Sequence, residues 1–194
     1  MSKKQSAEAI RAAYEAGQRA FGEIYLQEAL DKISQLADLD IDWHFIGRIQ
    51  ANKTRQIATH FAWVHGLADP AHARRLSEQR PGEMPPLNVC LQVNLSGEPS
   101  KGGVEPSATA DLLDLCETLP GLRVRGLMTL PAPSDDETAQ RQPFRALRML
   151  RDQLATPTQP LSCLSMGMSD DLEAAILEGA TFVRIGTAIF GERH

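Results

Sequence analysis

Two hydrophobic periods take turns along the chain. Residues 5–17 carry Ala7, Ile10, Ala13 and Tyr14 at helical spacing, with Gly17 as a stop. A short run, Ala20–Ile24, comes next, and Tyr25–Ala37 resumes the helical period through Leu26, Leu30 and Ile33. Trp43–Gly47 reads as a buried strand closed by glycine, Gln50–His60 as a helix, and Phe61–Leu67 as an extended segment. Ala71–Gln79 is helical, and the Pro81-Gly82 and Pro85-Pro86 pairs mark a loop. Leu87–Leu95 is the clearest strand, followed by a helix over Glu105–Thr118 and a strand over Leu122–Leu130. Gln142–Leu154 (helix), Leu161–Ser165 (strand), Asp170–Glu178 (helix) and Thr181–Ile185 (strand) complete the pattern.

Seven strands with a helix between each pair imply right-handed crossovers and a parallel sheet. A doubly wound sheet and a closed barrel both satisfy that alternation. Polar or glycine residues gather just after the strand ends, at Gly47, Asn94, Met128-Thr129, Gly167 and Gly186. Chemistry on one rim is what a barrel supplies. The expected fold is therefore a single α/β domain over residues 1–194, a (β/α)8 TIM-type barrel whose first strand is largely missing, since only Met1–Lys4 precede the first helix. Pro131–Glu137 is expected to be a surface loop.

Composition narrows the partners. The formal charge is -5, with lysines and arginines scattered, so there is no basic footprint for nucleic acid. No stretch approaches the ~18 apolar residues of a membrane helix, and the first residues have no apolar leader segment. Cys90, Cys116 and Cys163 lack metal-site or disulfide-framework spacing, and Cys90 and Cys163 lie in apolar runs. A cytoplasmic monomer that meets a small molecule is expected. His60 and His65 have no third ligand nearby and read as solvent or core residues; His72 reads as a surface helix residue, and His194 is terminal.

Two segments carry candidate chemistry. In Leu164–Glu173 a strand ends at Ser165, glycine permits close backbone approach at Gly167, and Ser169 or Asp170 is a good helix N-cap. Alone, that pattern fits an anion site and an ordinary capped helix equally, and the acidic first turn argues against a phosphate directly at the helix end. In Thr181–Gly191 a strand is followed by Gly186-Thr187. Two neighbouring strand ends with glycines and hydroxyls make a phosphate cup near the last strands of a barrel. Arg184 lies inside an otherwise apolar strand, and a buried guanidinium needs a partner. No acidic residue falls within the expected strand cores, so a ligand is the better partner. Without further information, His44 and Met128 read as core residues.

The motifs Trp43–Gly47, Gln50–Lys53, Gly126–Met128, Ser165–Asp171 and Arg184–Gly191 resemble those of the pyridoxal phosphate homeostasis proteins, which are similar to the N-terminal barrel of alanine racemase. The resemblance runs from Ser2 to the C-terminus. It implies a pyridoxal 5'-phosphate site. Ser165 and Thr187, with backbone near Gly167 and Gly186, would hold the phosphate. Arg184 would face the pyridine nitrogen, His44 and Met128 would line the pocket, and Asn52 would sit at the rim. Lys3 would form the Schiff base, with Lys4 as its neighbour. The family's Gly-Glu-Asn-Tyr stands here as Gly22-Glu23-Ile24-Tyr25, and Met1 stands where valine is usual. The implied role is non-catalytic: a carrier or buffer in vitamin B6 and amino-acid homeostasis, with pyridoxal-phosphate-dependent apoenzymes as recipients. A racemase of the related type uses a second domain that this chain is expected to lack. The alternatives are a small racemase or other lysine-linked enzyme, and a barrel acting on sugar phosphates, for which no convincing catalytic carboxylates are found.

Overall fold

A computed structural model describes residues 1–97 and 102–191; His194 lies outside the described residues. Its six strands are β1 (Ala20–Glu23), β2 (Asp42–Phe45), β3 (Trp63–Leu67), β4 (Leu87–Gln92), β5 (Leu122–Met128) and β6 (Cys163–Ser165). They form one parallel sheet in the order β1-β2-β3-β4-β5-β6. Each strand pairs with its neighbours in sequence, so the winding never reverses. A doubly wound sheet has a reversal point; a barrel does not. The barrel class is the one observed.

Helices lie between the strands: α1 (Ala7–Glu15), α2 (Leu26–Gln35), α3 (Thr54–His60), α4 (Pro70–Gln79), α5 (Thr109–Glu117), α6 (Glu137–Leu154), α7 (Leu172–Leu177) and α8 (Thr187–Phe190). Their starts follow from local chemistry. Ser6 accepts from the Ala9 amide, and Asp69 accepts from the Ala71 and His72 amides with Pro70 in the first turn. The apolar core lies between sheet and helices. Phe21, Phe45, Val64, Leu87, Val89 and Leu91 are almost wholly buried, which is why β4 reads as a nearly continuous apolar run.

Three expectations are corrected. Thr181–Ile185 is not a strand. It touches β6 through one bridge, Ser165 to Phe182, and through hydrogen bonds from Met166 to Phe182 O (3.0 Å) and Arg184 to Gly167 O (2.9 Å). The positive φ of Gly167 (94°) turns the partner chain and ends regular pairing there. Second, α6 begins at Glu137 rather than Gln142, so Pro143 is interior. Asp136 caps the earlier start by accepting from the Ala139 amide at 2.7 Å. Buried Glu178 then holds the face of α6 by ion pairs to Arg141 (2.7 Å), Arg145 (3.3 Å) and Arg148 (3.0 Å). Third, α7 starts at Leu172 with Asp171 at its N-cap, where its carboxylate accepts from the Met168 amide instead of from the helix.

The seam of the barrel is closed by very little chain. The Met1 amine donates to Ile185 O at 2.6 Å, and the Ser2 amide donates to Gly22 O at 3.0 Å. Residues 1–2 thus stand between β1 and the segment 182–185.

Close approach between β5 and β6 depends on Gly126. A Cβ there would lie 1.8 Å from Cys163 O, whereas one on Gly82 would meet nothing within 4 Å. Gly126→Ala is therefore expected to lower stability by about 3 kcal/mol. Gly82→Ala should stay within about 0.5 kcal/mol of the parent. Urea unfolding midpoints of the two variants check this; equal midpoints would rule out the tight β5–β6 contact.

Candidate functional site

Strand alternation gives the barrel two different faces. Phe21, Trp43 and Phe45 are buried hydrophobics of the core. Their neighbours Ala20, Gly22 and His44 line a small inner cavity of about 60 Å³ together with Met1, His65, Phe182 and Arg184. The interior mixes charged, imidazole and aromatic side chains where the core is wholly apolar. His44 stacks on Trp63 with ring centroids 5.4 Å apart and planes within 4°. Phe182 stands edge-on to His44, Trp63 and His65.

Arg184 dominates this interior. Only 7% exposed, it donates to Ser165 Oγ (3.1 Å) and to Thr129 O (3.0 Å). Burial brings its pKa down to about 10, so it remains a cation at neutral pH. Both side-chain acceptors are neutral. Glu23 corrects the expectation that no carboxylate enters a strand core: it ends β1 with no exposure. It faces away from Arg184, however, and binds Ser2 Oγ (2.7 Å) and Lys32 Nζ (2.9 Å). Burial raises its pKa, and its Oε2 is the one buried side-chain polar atom without a partner among the described residues.

The expected site residues are distributed as follows. Ser165, Gly167 and Arg184 come together, because residues 165–167 and 182–184 are hydrogen-bonded to each other, and Gly186 and Thr187 follow directly in the chain. Ser165 is wholly buried, its hydroxyl shared between Arg184 and His65. Gly167 must be glycine twice over, for its φ of 94° and for a Cβ position 2.5 Å from Ala175 Cβ. Gly186 packs on Met1, and Thr187 opens α8 in an exposed position. Met128 is fully buried at the end of β5, opposite Ser165. Asn52 is exposed in the turn after β2. Lys3 lies half-buried in the turn beyond Ser2, beside the carboxyl end of β1; Lys4 is exposed. Ser169, one of the two candidate caps, is exposed beyond the glycine.

Sequence reasoning missed His65 as a site residue. Its Nδ1 lies 2.8 Å from Ser165 Oγ and its Nε2 lies 2.8 Å from His44 Nδ1. The available signal was phase: Trp63 and His65 share one face of β3, the face that meets His44. Among the described residues no group of three metal-ligating side chains occurs, and no helix is long and apolar enough to cross a membrane.

A cofactor carrying a phosphate and a pyridine ring fits the donor set. The site offers a buried cation whose hydrogen-bond partners are a hydroxyl and a carbonyl, with its backbone amide bonded to Gly167 O and Gly186-Thr187 following it in the chain.

Comparison with known proteins agrees. The family described as "Alanine racemase, N-terminal domain" matches residues 3–194. A protein named "Pyridoxal phosphate homeostasis protein" from Pseudomonas aeruginosa is 58% identical, over all of this chain and 83% of its own length. The Escherichia coli K12 protein of the same name is 47% identical over all of this chain and 84% of its own. PipY of Synechococcus elongatus superposes with a TM-score of 0.91 without pyridoxal phosphate and 0.89 with it bound, at 38% and 37% identity, covering 98% of this chain and 90% of PipY. An alanine racemase from Clostridium difficile shares the fold alone, with a TM-score of 0.80 at 10% identity.

Burial also makes the site acid-sensitive. Desolvation, followed by the nearby Met1 amine, lowers the His44 pKa to about 4. Desolvation, His44 and Arg184 lower that of His65. As pH falls through the unfolded value near 6.5, the unfolded chain takes up protons that the folded chain refuses, so stability drops. His44 alone accounts for roughly 3 kcal/mol between pH 6.5 and 4. Urea midpoints measured across that range should fall with acidification, and His44→Gln should flatten the slope.

Proposed function

The chain belongs to the pyridoxal phosphate homeostasis proteins, built on the alanine racemase N-terminal domain, and on that premise we propose that it binds pyridoxal 5'-phosphate at the Arg184 rim and buffers or delivers it without catalysing a reaction. The observation that carries this reading is Arg184, a buried cation whose hydrogen-bond partners are neutral, with its amide bonded to Gly167 O and Gly186-Thr187 just beyond it in the chain. Asp171 acts on Arg184 through space without bonding to it, and an anionic ligand would supply the direct charge partner. PipY, alike in fold and sequence, has been solved with pyridoxal phosphate bound.

In this reading Gly167, Gly186 and Thr187 hold the phosphate, with Ser165 forming the floor beneath them. Met128 and His44 wall the ring, and Asn52 stands at the rim. Lys3 offers the amine for covalent attachment. The bound cofactor supplies an aldehyde that amines can add to and an electron-withdrawing ring. Arg184 limits that ring. A guanidinium can donate a hydrogen bond to a pyridine nitrogen but does not transfer its proton, so it supports a weak electron sink. His44 and His65 are buried and neutral, which leaves no charged acid/base among the inner residues. The weak electron sink favours a carrier, or at most a racemase-like role, over a transaminase. A monomer in the cytoplasm, with pyridoxal-phosphate-dependent apoenzymes as recipients, completes the proposal.

Titrating the purified chain with pyridoxal phosphate and recording the visible spectrum before and after borohydride tests the site. A reducible chromophore is expected, lost in Lys3→Ala and retained in Lys4→Ala. Its survival in Lys3→Ala would place the attachment elsewhere. Exchange of the α-hydrogen of alanine in deuterium oxide should stay at the protein-free rate; Lys3-dependent exchange would make the chain an enzyme.

A further inference from the structure

Cofactor binding uses Arg184 and the pocket face of His44, and a continuous line of hydrogen bonds joins the two through Ser165 and through His65, which has no role in that reading. Arg184 Nη1 meets Ser165 Oγ at 3.1 Å, Ser165 Oγ meets His65 Nδ1 at 2.8 Å, and His65 Nε2 meets His44 Nδ1 at 2.8 Å. Ser165 is 0% exposed, His65 1% and His44 4%, so water does not complete their valences.

The protons can be counted along this line. A guanidinium only donates, so Arg184 occupies one lone pair of Ser165 Oγ. The one remaining partner of that hydroxyl is His65 Nδ1. If Ser165 donates to Nδ1, His65 carries its proton on Nε2 and donates to His44 Nδ1. His44 then carries its own proton on Nε2. Every donor and acceptor from Arg184 to His44 Nδ1 is satisfied, only the His44 Nε2–H is left for the cavity that His44 lines, and each imidazole is neutral. In the reverse order Ser165 Oγ receives from both Arg184 and His65, and its own proton is buried with no acceptor. The cation at one end therefore sets the direction for the whole line.

We propose that His65 is a positioning residue of this site: through Ser165 it orients the Arg184 guanidinium, and through a one-way proton order it makes His44 present Nε2–H as a donor at the cavity wall. Both ends of the line are then donors. The ligand class this favours is a ring bearing acceptor atoms with free lone pairs, rather than one presenting N–H or O–H groups. The flat stack of Trp63 on His44 and the edge of Phe182 against both rings hold the imidazole planes in place. The ligand preference rests on the cofactor-binding reading; the proton order does not.

The test begins with the ligand-free chain, labelled with ¹⁵N-histidine, and long-range proton–nitrogen correlation at neutral pH. Both His44 and His65 should show a bare Nδ1 and a protonated Nε2. A protonated Nδ1 on either ring overturns the proposal. Ser165→Ala, with folding checked by circular dichroism, should leave His65 as a mixture of tautomers; an unchanged single tautomer also overturns it. His65→Gln should weaken uptake of pyridoxal phosphate roughly tenfold, while unaltered uptake removes the positioning role. If the parent chain shows both tautomers as stated but takes up no cofactor, the proton order stands and the binding reading alone fails.

Discussion

Moving a guanidinium out of water costs several kcal/mol unless strong partners replace the solvent, and Arg184 is placed in the barrel interior with a carbonyl and a hydroxyl as its side-chain partners. Much of the local structure can be understood from that demand. The segment 182–185 leaves regular strand pairing after Phe182, and the Arg184 amide binds Gly167 O, so the side chain reaches Thr129 and Ser165. Gly167 permits the approach that joins the two segments. Ser165, filled by Arg184 on one side, passes its proton inward and orders both histidines. A cation set in this way is poised for an anionic or electron-rich ligand and poor at donating a proton to it.

A second buried charge group lies on the other side of the sheet. Glu23, Lys32 and Ser2 form a compact network between β1, α2 and the N-terminal residues, with Glu28 bound to the same Lys32 Nζ. It anchors the turn that carries Lys3 to the end of β1, while Met1 reaches across to Ile185. Position of the candidate attachment lysine therefore depends on an ion pair that is not itself in the pocket. Glu23 is paired with Lys32 on the helix side of the sheet, so it is not among the hydrogen-bond partners of Arg184.

Most of the architecture was legible along the chain. Alternating periods gave the strands and helices in order, because a buried parallel strand must be apolar and short, and a crossover helix must show a 3.6-residue stripe. The last strand and the start of α6 were misread for physical reasons. Thr181–Ile185 has the composition of a strand, but Gly167 withdraws its partner after one bridge. A start at Gln142 would put Pro143 in the first turn, whereas a cap at Asp136 and the arginine cluster on Glu178 support an earlier start.

For the site, sequence by itself determined the two glycine-bearing segments and the oddity of an arginine among apolar neighbours, since both are local chemical features. The motif resemblance identified the family from the same residues. Which groups meet was decided only by tertiary structure. His65 lies 100 residues from Ser165, and its role appears only when the barrel closes and turns both inward. Glu23 and Arg184 are both buried, and no local pattern says that they sit on opposite sides of the sheet. Side-chain phase along a strand is written in the sequence; the partner across the barrel is set by register and curvature, which depend on every strand at once.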